Sequence, residues 1–303
     1  MPAAVGAPKV QRAVYNQGRK QPPWSSLPGK LMRKEGQKKV ADAAANEAYD
    51  FAGDTWTFYF KALGRNSIDD AGMPIISSVH AGNEFNNAFW EGTQMVYGDG
   101  DGIVFTRFTR SLDVVGHELT HGVVQHTSGL VYEAQSGALN EHFADVFGVL
   151  VRMFKAKTKA DTAPDKAWLI GAELLVPAPT RKALRSMKAP GTAYQNDPDL
   201  GDDPQPKHMN DYINLPVTEA GDWGGVHLNS GIPNHAFYLA ATAIGGNAWE
   251  KAGKVWYEVM RNLQPHSQFA DAAAQCRTVA RGLFGSSSAE AKAIDKAWTA
   301  VGL

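Results

Sequence analysis

His117-Glu118-Leu119-Thr120-His121 constrains this chain more than any other segment. Two His four residues apart converge on one point only if the backbone is helical, where positions i and i+4 lie about 40° apart around the axis. Glu118 then stands about 100° round from His117, near enough to reach a molecule held between the imidazoles without itself being a ligand. About 0.01 such pentads arise by chance in a chain of this composition, so a fortuitous pair of surface His is a weak competitor.

The segment Gly137-Ala138-Leu139-Asn140-Glu141-His142-Phe143-Ala144-Asp145 adds a carboxylate, Glu141, on what reads as a second helix. His117, His121 and Glu141 are therefore expected to hold zinc. Two His and one Glu leave tetrahedral zinc an open position for water, as in catalytic rather than structural sites. Zinc lowers the pKa of that water towards ~7, and Glu118 is placed to take its proton as general base. Asp145, four residues after Glu141, shares its helix face and is expected to orient a ligating His. Asn140 is read in the same supporting role.

Composition narrows the setting. The formal net charge of −1 argues against nucleic acid or an anionic membrane as partner, and Arg33, Lys34, Lys38 and Lys39 read as a solvated face. Cys276 is the only cysteine, which excludes an intrachain disulfide and any cysteine-based metal site. No stretch approaches the ~20 apolar residues of a membrane span, and Met1 to Gly6 does not read as a signal peptide. Export and a cytoplasmic location both stay open, with export favoured.

Along the chain, residues 1–30 read as an edge strand with turns, and the Ala-rich run from Glu35 to Phe51 as a helix. Turn signals between Gly64 and Gly102, broken by short apolar pieces, suit twisted strands, with Gly98 to Gly102 a tight loop. Ser111 to His126 reads as a helix with Ser111 as N-cap and Asp113 in its first turn, and residues 137–155 as another. Residues 189–216 form a long Pro-, Gly- and Asp-rich connection. Four helical stretches then follow (231–245, 248–262, 267–283, 289–300). The expected fold is α+β, with a β-rich domain over 1–130, a helical domain over 131–303, and the cleft near residues 110–145.

These residues resemble the thermolysin-like neutral metallopeptidases, and within them the protealysin-type branch. The resemblance runs over most of the chain: Asn86-Asn87-Ala88-Phe89-Trp90, the Tyr97-to-Gly102 loop, Asp113-Val114-Val115-Gly116 before the pentad, and Gly224-Gly225-Val226-His227-Leu228-Asn229-Ser230-Gly231. It implies a zinc endopeptidase in which Tyr132 and His227 stabilise the oxyanion and Asp222 holds the ring of His227. It also implies that Arg185 binds a substrate carbonyl and that Asn87 and Ala88 pair with an extended peptide. Phe105, Phe108, Val114 and Leu184 would line a primed-side pocket that favours bulky apolar residues. Family members are generally made with an inhibitory pro-segment, and a monomer is expected. Taken singly, Tyr132 would pass for a packing residue, Arg185 for a surface ion pair, and each pocket residue for core.

Competing zinc classes fit less well. The metzincin pattern requires Gly at 124 and His at 127, where this chain has Val124 and Thr127, which makes His126 a surface residue. An aminopeptidase would need an acidic group for a free amino terminus, and a non-catalytic zinc protein would have lost Glu118, Tyr132 or His227. The chain departs from the family at its double calcium site. Asp113 matches one ligand, but Arg152 stands where a Glu is expected, so that site is expected to be absent and Arg152 to pair with Asp113. Asp99, Asp101, Asp202 and Asp203 are weaker calcium candidates, more ordinary as solvated turns.

Overall fold

The computed structural model describes residues 8–24 and 26–303; Met1 to Gly6, where the leader was sought, lie outside the described residues. Five strands form a sheet in the order β2-β1-β3-β5-β4: β1 (Arg12–Asn16), β2 (Lys30–Lys34), β3 (Ile75–Ala81), β4 (Ala88–Trp90) and β5 (Met95–Gly98). β1 runs parallel to β3, and β3 parallel to β5, while β2 and β4 are antiparallel to their neighbours at the two edges. The strand expected at an edge within residues 1–30 is therefore interior. β2 covers its outer side, and Val14 is buried beneath it.

The parallel β1–β3 pair requires a crossover, supplied by α1 (Ala43–Leu63). This helix starts later than the Glu35–Phe51 reading. Its N-terminus is set by Asp42, whose carboxylate accepts from the Ala45 amide, and its C-terminus by Gly64 in the left-handed region (φ 73°). Arg33 is likewise not part of a solvated face. It is buried, donates to Asn46 and Asp50, and lies 3.7 Å from the centroid of the Tyr49 ring. Its partners come from α1, and stacking on an aromatic face suits guanidinium better than ammonium. Lys34, Lys38 and Lys39 are exposed as read.

Below the sheet lie two helices buried nearly all round, α2 (Leu112–Gln125) and α3 (Ala134–Ala156). They pack antiparallel at close range because Gly116 faces Gly148. A Cβ on Gly148 would stand 2.4 Å from the Asp113 carbonyl oxygen, so no larger residue fits without moving the pair apart. After a two-stranded ribbon, β6 (Leu169–Ile170) with β7 (Arg185–Ser186), the chain is helical: α4 (Asp222–Asn229), α5 (Gly231–Ile244), α6 (Ala252–Asn262), α7 (Phe269–Phe284) and α8 (Ala289–Ala300). Trp256 and Trp298 stack at 6.0 Å in the core of this half. A β-sheet region followed by a helical region is the α+β arrangement read from the sequence.

Candidate active site

α2 and α3 are cross-linked in order along their interface, and the site is built from those links. At one end Arg152 of α3 pairs with Asp113 of α2. One turn further, His117 Nδ1 lies 2.8 Å from Asp145 Oδ1, and beyond it His121 Nδ1 lies 2.8 Å from Asn140 Oδ1. Asn140 donates its amide to the Leu130 carbonyl at 3.2 Å, which orients its oxygen towards His121. Both Nδ1 atoms therefore carry protons, and in the neutral rings both Nε2 lone pairs are left bare for a metal.

Those bare nitrogens face each other at 3.0 Å, and Glu141 Oε1 and Oε2 lie 3.4 Å from His121 Nε2 and 3.5 Å from His117 Nε2. Converging lone pairs and a buried carboxylate repel one another unless a cation lies between them. Glu141 Oε2 has no hydrogen-bond partner although it is buried, another sign of an electrophile's place. His117, His121 and Glu141 bring one donor atom each within 4.8 Å of one another, so the donor set fits zinc. Burial disfavours the charge on Glu141, but His227, His117 and His121 outweigh it and hold its pKa down to about 2.

Glu118 sits beside this cluster with only 9% of its surface exposed, and burial lifts its pKa to about 7, with His117 opposing and Glu141 reinforcing the rise. A cation at the cluster would favour its ionised form. Across the cleft, Tyr132 donates to Glu141 Oε1 at 2.5 Å and lies 3.1 Å from His227 Nε2. Asp222 accepts from His227 twice, from Nδ1 at 2.5 Å and from the amide at 2.9 Å. Burial works against the charge on His227, whose side chain keeps 48% of its surface open, but Glu141 and Asp222 raise its pKa to about 9. The turn carrying it is unusual. Asp222, Trp223, Gly224 and Gly225 all have positive φ, and a Cβ on Gly225 would meet the Asn229 amide at 2.8 Å, so the helix proper begins only at Val226.

A cavity of about 610 Å³ opens in front of these groups. Asn87, Ala88, Phe108, Val114, Leu184 and Arg185 all line it, as does Trp223 at its rim. Phe105 is not on its wall but packs behind Phe108, with ring centroids 5.6 Å apart. Asn87 immediately precedes β4, an edge strand whose far side pairs with no strand among the described residues, and its side chain accepts from the Ala88 amide at 2.9 Å. Arg185 makes a fork with Asp145, at 2.8 Å and 2.6 Å, so much of its donor capacity is already engaged. Burial opposes its charge and Asp145 more than restores it. His126 is exposed at the end of α2.

The acidic residues named for calcium each accept hydrogen bonds from neighbouring groups. Asp99 holds His80, Asp101 Oδ1 accepts the amides of Ile103, Val104 and Phe105, Asp202 accepts from Asn196, and Asp203 from Gly191, Ala193 and Gln205. Sequence reasoning missed Asn234, which donates to Asp145 Oδ2 at 2.8 Å from α5. No local pattern marks it, because its partner lies 89 residues away.

A sheet-bearing half, a helical half and a two-His, one-Glu donor set beside a carboxylate define a metallopeptidase. The model of the thermolysin metallopeptidase catalytic domain matches residues 8–125, and that of the alpha-helical domain matches residues 128–303. The extracellular metalloprotease of Pectobacterium carotovorum subsp. carotovorum is 51% identical over 254 residues, covering 84% of this chain and 70% of its own length. Protease PrtS of a Photorhabdus species is 49% identical, covering 92% of this chain and 74% of its own. The bacillolysin of Bacillus amyloliquefaciens is 43% identical, with 48% of its length covered. Among solved structures, the precursor of protealysin, a metalloproteinase from Serratia proteamaculans, superposes with a TM-score of 0.90 at 50% identity, covering 100% of this chain and 90% of that one. The chain belongs to the thermolysin metallopeptidase family and is a metalloprotease.

Proposed function

We propose that this metalloprotease is a zinc endopeptidase that binds its substrate as an extended strand and cuts before bulky apolar residues. The observation that carries the reading is the pair of bare Nε2 atoms 3.0 Å apart beside the unpartnered Glu141 Oε2, with Glu118 next to them. His117, His121 and Glu141 would hold zinc there, and the bound ion would supply an acidified water and a polarised carbonyl.

The remaining steps belong to side chains. Glu118 accepts the proton of the attacking water and passes it to the leaving amine. His227, charged and fixed by Asp222, and Tyr132 donate to the oxygen that becomes negative. The free edge of β4 at Asn87 and Ala88 pairs with the peptide backbone, and Arg185, anchored on Asp145, faces the cleft with what remains of its donors. Phe108, Val114 and Leu184, backed by Phe105, form an apolar wall. Burying a Leu or Phe side chain against it is worth about 1.5–3 kcal/mol, which favours such residues on the primed side.

Residues 1–130 and 131–303 act as the two domains on either side of the cleft. Arg152 replaces the double calcium site as the partner of Asp113. Two similar proteins, an extracellular metalloprotease and a protealysin precursor, support export and control by a pro-segment. No helix among the described residues is long and apolar enough to cross a membrane.

The test is cleavage of a quenched fluorescent peptide with Leu or Phe after the scissile bond. Wild type, Glu118→Ala, and chelator-treated enzyme restored with zinc are compared. Activity lost in both treatments and regained with zinc is expected. A folded wild type carrying one zinc but inert on such peptides refutes the endopeptidase reading.

A further inference from the structure

We propose that Trp256, His142 and Asn234 form a one-way hydrogen-bond relay that positions Asp145, and through it the ligand His117; this rests on the zinc-site reading. The relay starts in the core of the helical half. Trp256 Nε1 lies 2.8 Å from His142 Nε2, His142 Nδ1 lies 2.7 Å from Asn234 Oδ1, and Asn234 Nδ2 lies 2.8 Å from Asp145 Oδ2. Asp145 Oδ1 then meets His117 Nδ1 at 2.8 Å. Every member is buried: Trp256, His142 and Asn234 expose no more than 1% of their surface.

The direction of each bond follows from chemistry. An indole N–H can only donate, so His142 Nε2 must accept and its proton must sit on Nδ1. That proton goes to Asn234, which fixes the Asn oxygen towards His142 and its amide towards Asp145. Asp145 then accepts on both oxygens, from Asn234 and Arg185 on one side and from His117 and Arg185 on the other. An Asp145 supplied with donors in this way stays an acceptor for His117, which keeps its proton on Nδ1 and its Nε2 bare towards the cluster. One indole in the core thus determines proton positions across α6, α3 and α5 up to the ligand. Reversing any link would leave two donors or two acceptors face to face in a dry interior.

Trp256, His142 and Asn234 are positioning residues, since none touches the metal donors' free atoms. His142 lies next to Glu141 in sequence, yet its ring points into the helical half, where it packs near Trp256 with centroids 6.5 Å apart. An apolar residue there would suffice for packing alone.

The experiment replaces His142 with Leu, Gln and Asn and measures zinc affinity by competition with a chromogenic chelator at neutral pH, alongside thermal melting. The Asn amide can stand where Nδ1 stands and keep the donor to Asn234. The Gln amide reaches the Nε2 position and serves only Trp256. Zinc binding is expected to weaken on the order of tenfold in H142L and H142Q, with H142N within about twofold of wild type. All three variants share the loss of the ring, so a packing role alone would weaken them alike, and that outcome overturns the relay. So does unchanged zinc binding in H142Q. If H142L does not fold, the comparison of H142Q with H142N decides. A wild type that takes up no zinc overturns the metal-site reading and the relay together, whereas normal wild-type binding with unaffected variants overturns the relay alone.

Discussion

Replacing Arg152 by Met should cost this protein about 3–5 kcal/mol, because it strands a buried charge. Asp113 is 1% exposed, and among the described residues Arg152 is its only cationic partner. The other contacts of its carboxylate are the Ser111 hydroxyl and the amides of Val114 and Gly171. Arg152 also donates to the Ala167 and Leu169 carbonyls at 2.9 Å and 2.6 Å, so the loss loosens the segment leading into β6 as well. Those carbonyls belong to half-exposed stretches that water can reach, and the stranded carboxylate dominates. At about 2 °C per kcal/mol for a chain of this size, the melting temperature falls by roughly 6–10 °C. The assay is thermal and urea denaturation of wild type, R152M, R152E and the double variant R152M/D113N. The double variant should recover more than half of the loss, since it leaves no buried charge. R152E should be worse than R152M without calcium and regain stability with it, while wild type gains nothing from calcium. A cost for R152M below about 1 kcal/mol, or a wild type that calcium stabilises as much as R152E, would refute the reasoning.

The remaining expectations concern other parts of the fold. His80 lies between Asp99 (2.8 Å) and Asp42 (2.9 Å), and these partners, Asp99 foremost, raise its pKa above 6.5 against the effect of burial. Its stabilising contribution is full below about pH 6.5 and is lost as pH rises through the folded pKa; urea titrations of wild type and H80Q should therefore differ most in acid and converge in alkali. Convergence in acid instead would reverse the assignment. Gly148→Ala should separate α2 from α3 and lower both stability and kcat, since its Cβ would fall 2.4 Å from a backbone oxygen; an unchanged melting temperature counts against the close contact. His227→Ala should lower kcat by roughly 10²–10³ with KM changed only a few-fold, and a change confined to KM would assign His227 to binding instead.

The metal cluster was legible in the sequence because its geometry is local. Helical periodicity alone brings His117 and His121 together, and the same periodicity puts Asp145 on the face of Glu141. The pocket residues Phe108, Val114 and Leu184 were reached through the family resemblance, which orders motifs that no single residue type reveals, whereas α3 reads from the sequence as 137–155 and begins three residues earlier, at Ala134. What escaped was decided by distant partners. Arg33 reads as one of several surface cations, yet Tyr49 and Asp50 of α1 draw it inside. The strand at Arg12–Asn16 reads as an edge because residues 1–30 are rich in Gly, Pro, Gln and Lys, and only the pairing shows it to be interior. Arg185 gave no sign that Asp145 would hold its guanidinium, since ribbon and helix meet only in the fold.

These contacts share one mechanical basis, the antiparallel register of α2 on α3. Asp113–Arg152, Gly116 against Gly148, His117–Asp145 and His121–Asn140 occur in sequence along one interface, with the α2 number rising as the α3 number falls. Sliding one helix by a turn would break all four together: it would bury an unpaired carboxylate, drive a side chain against backbone at the glycines, and strip both imidazoles of the partners that keep their Nε2 atoms bare. The ion pair at one end and the metal donors at the other are thus alternative ways of fixing the same register. The Asp113–Arg152 pair therefore holds α2 and α3 in register at the end away from the donor cluster.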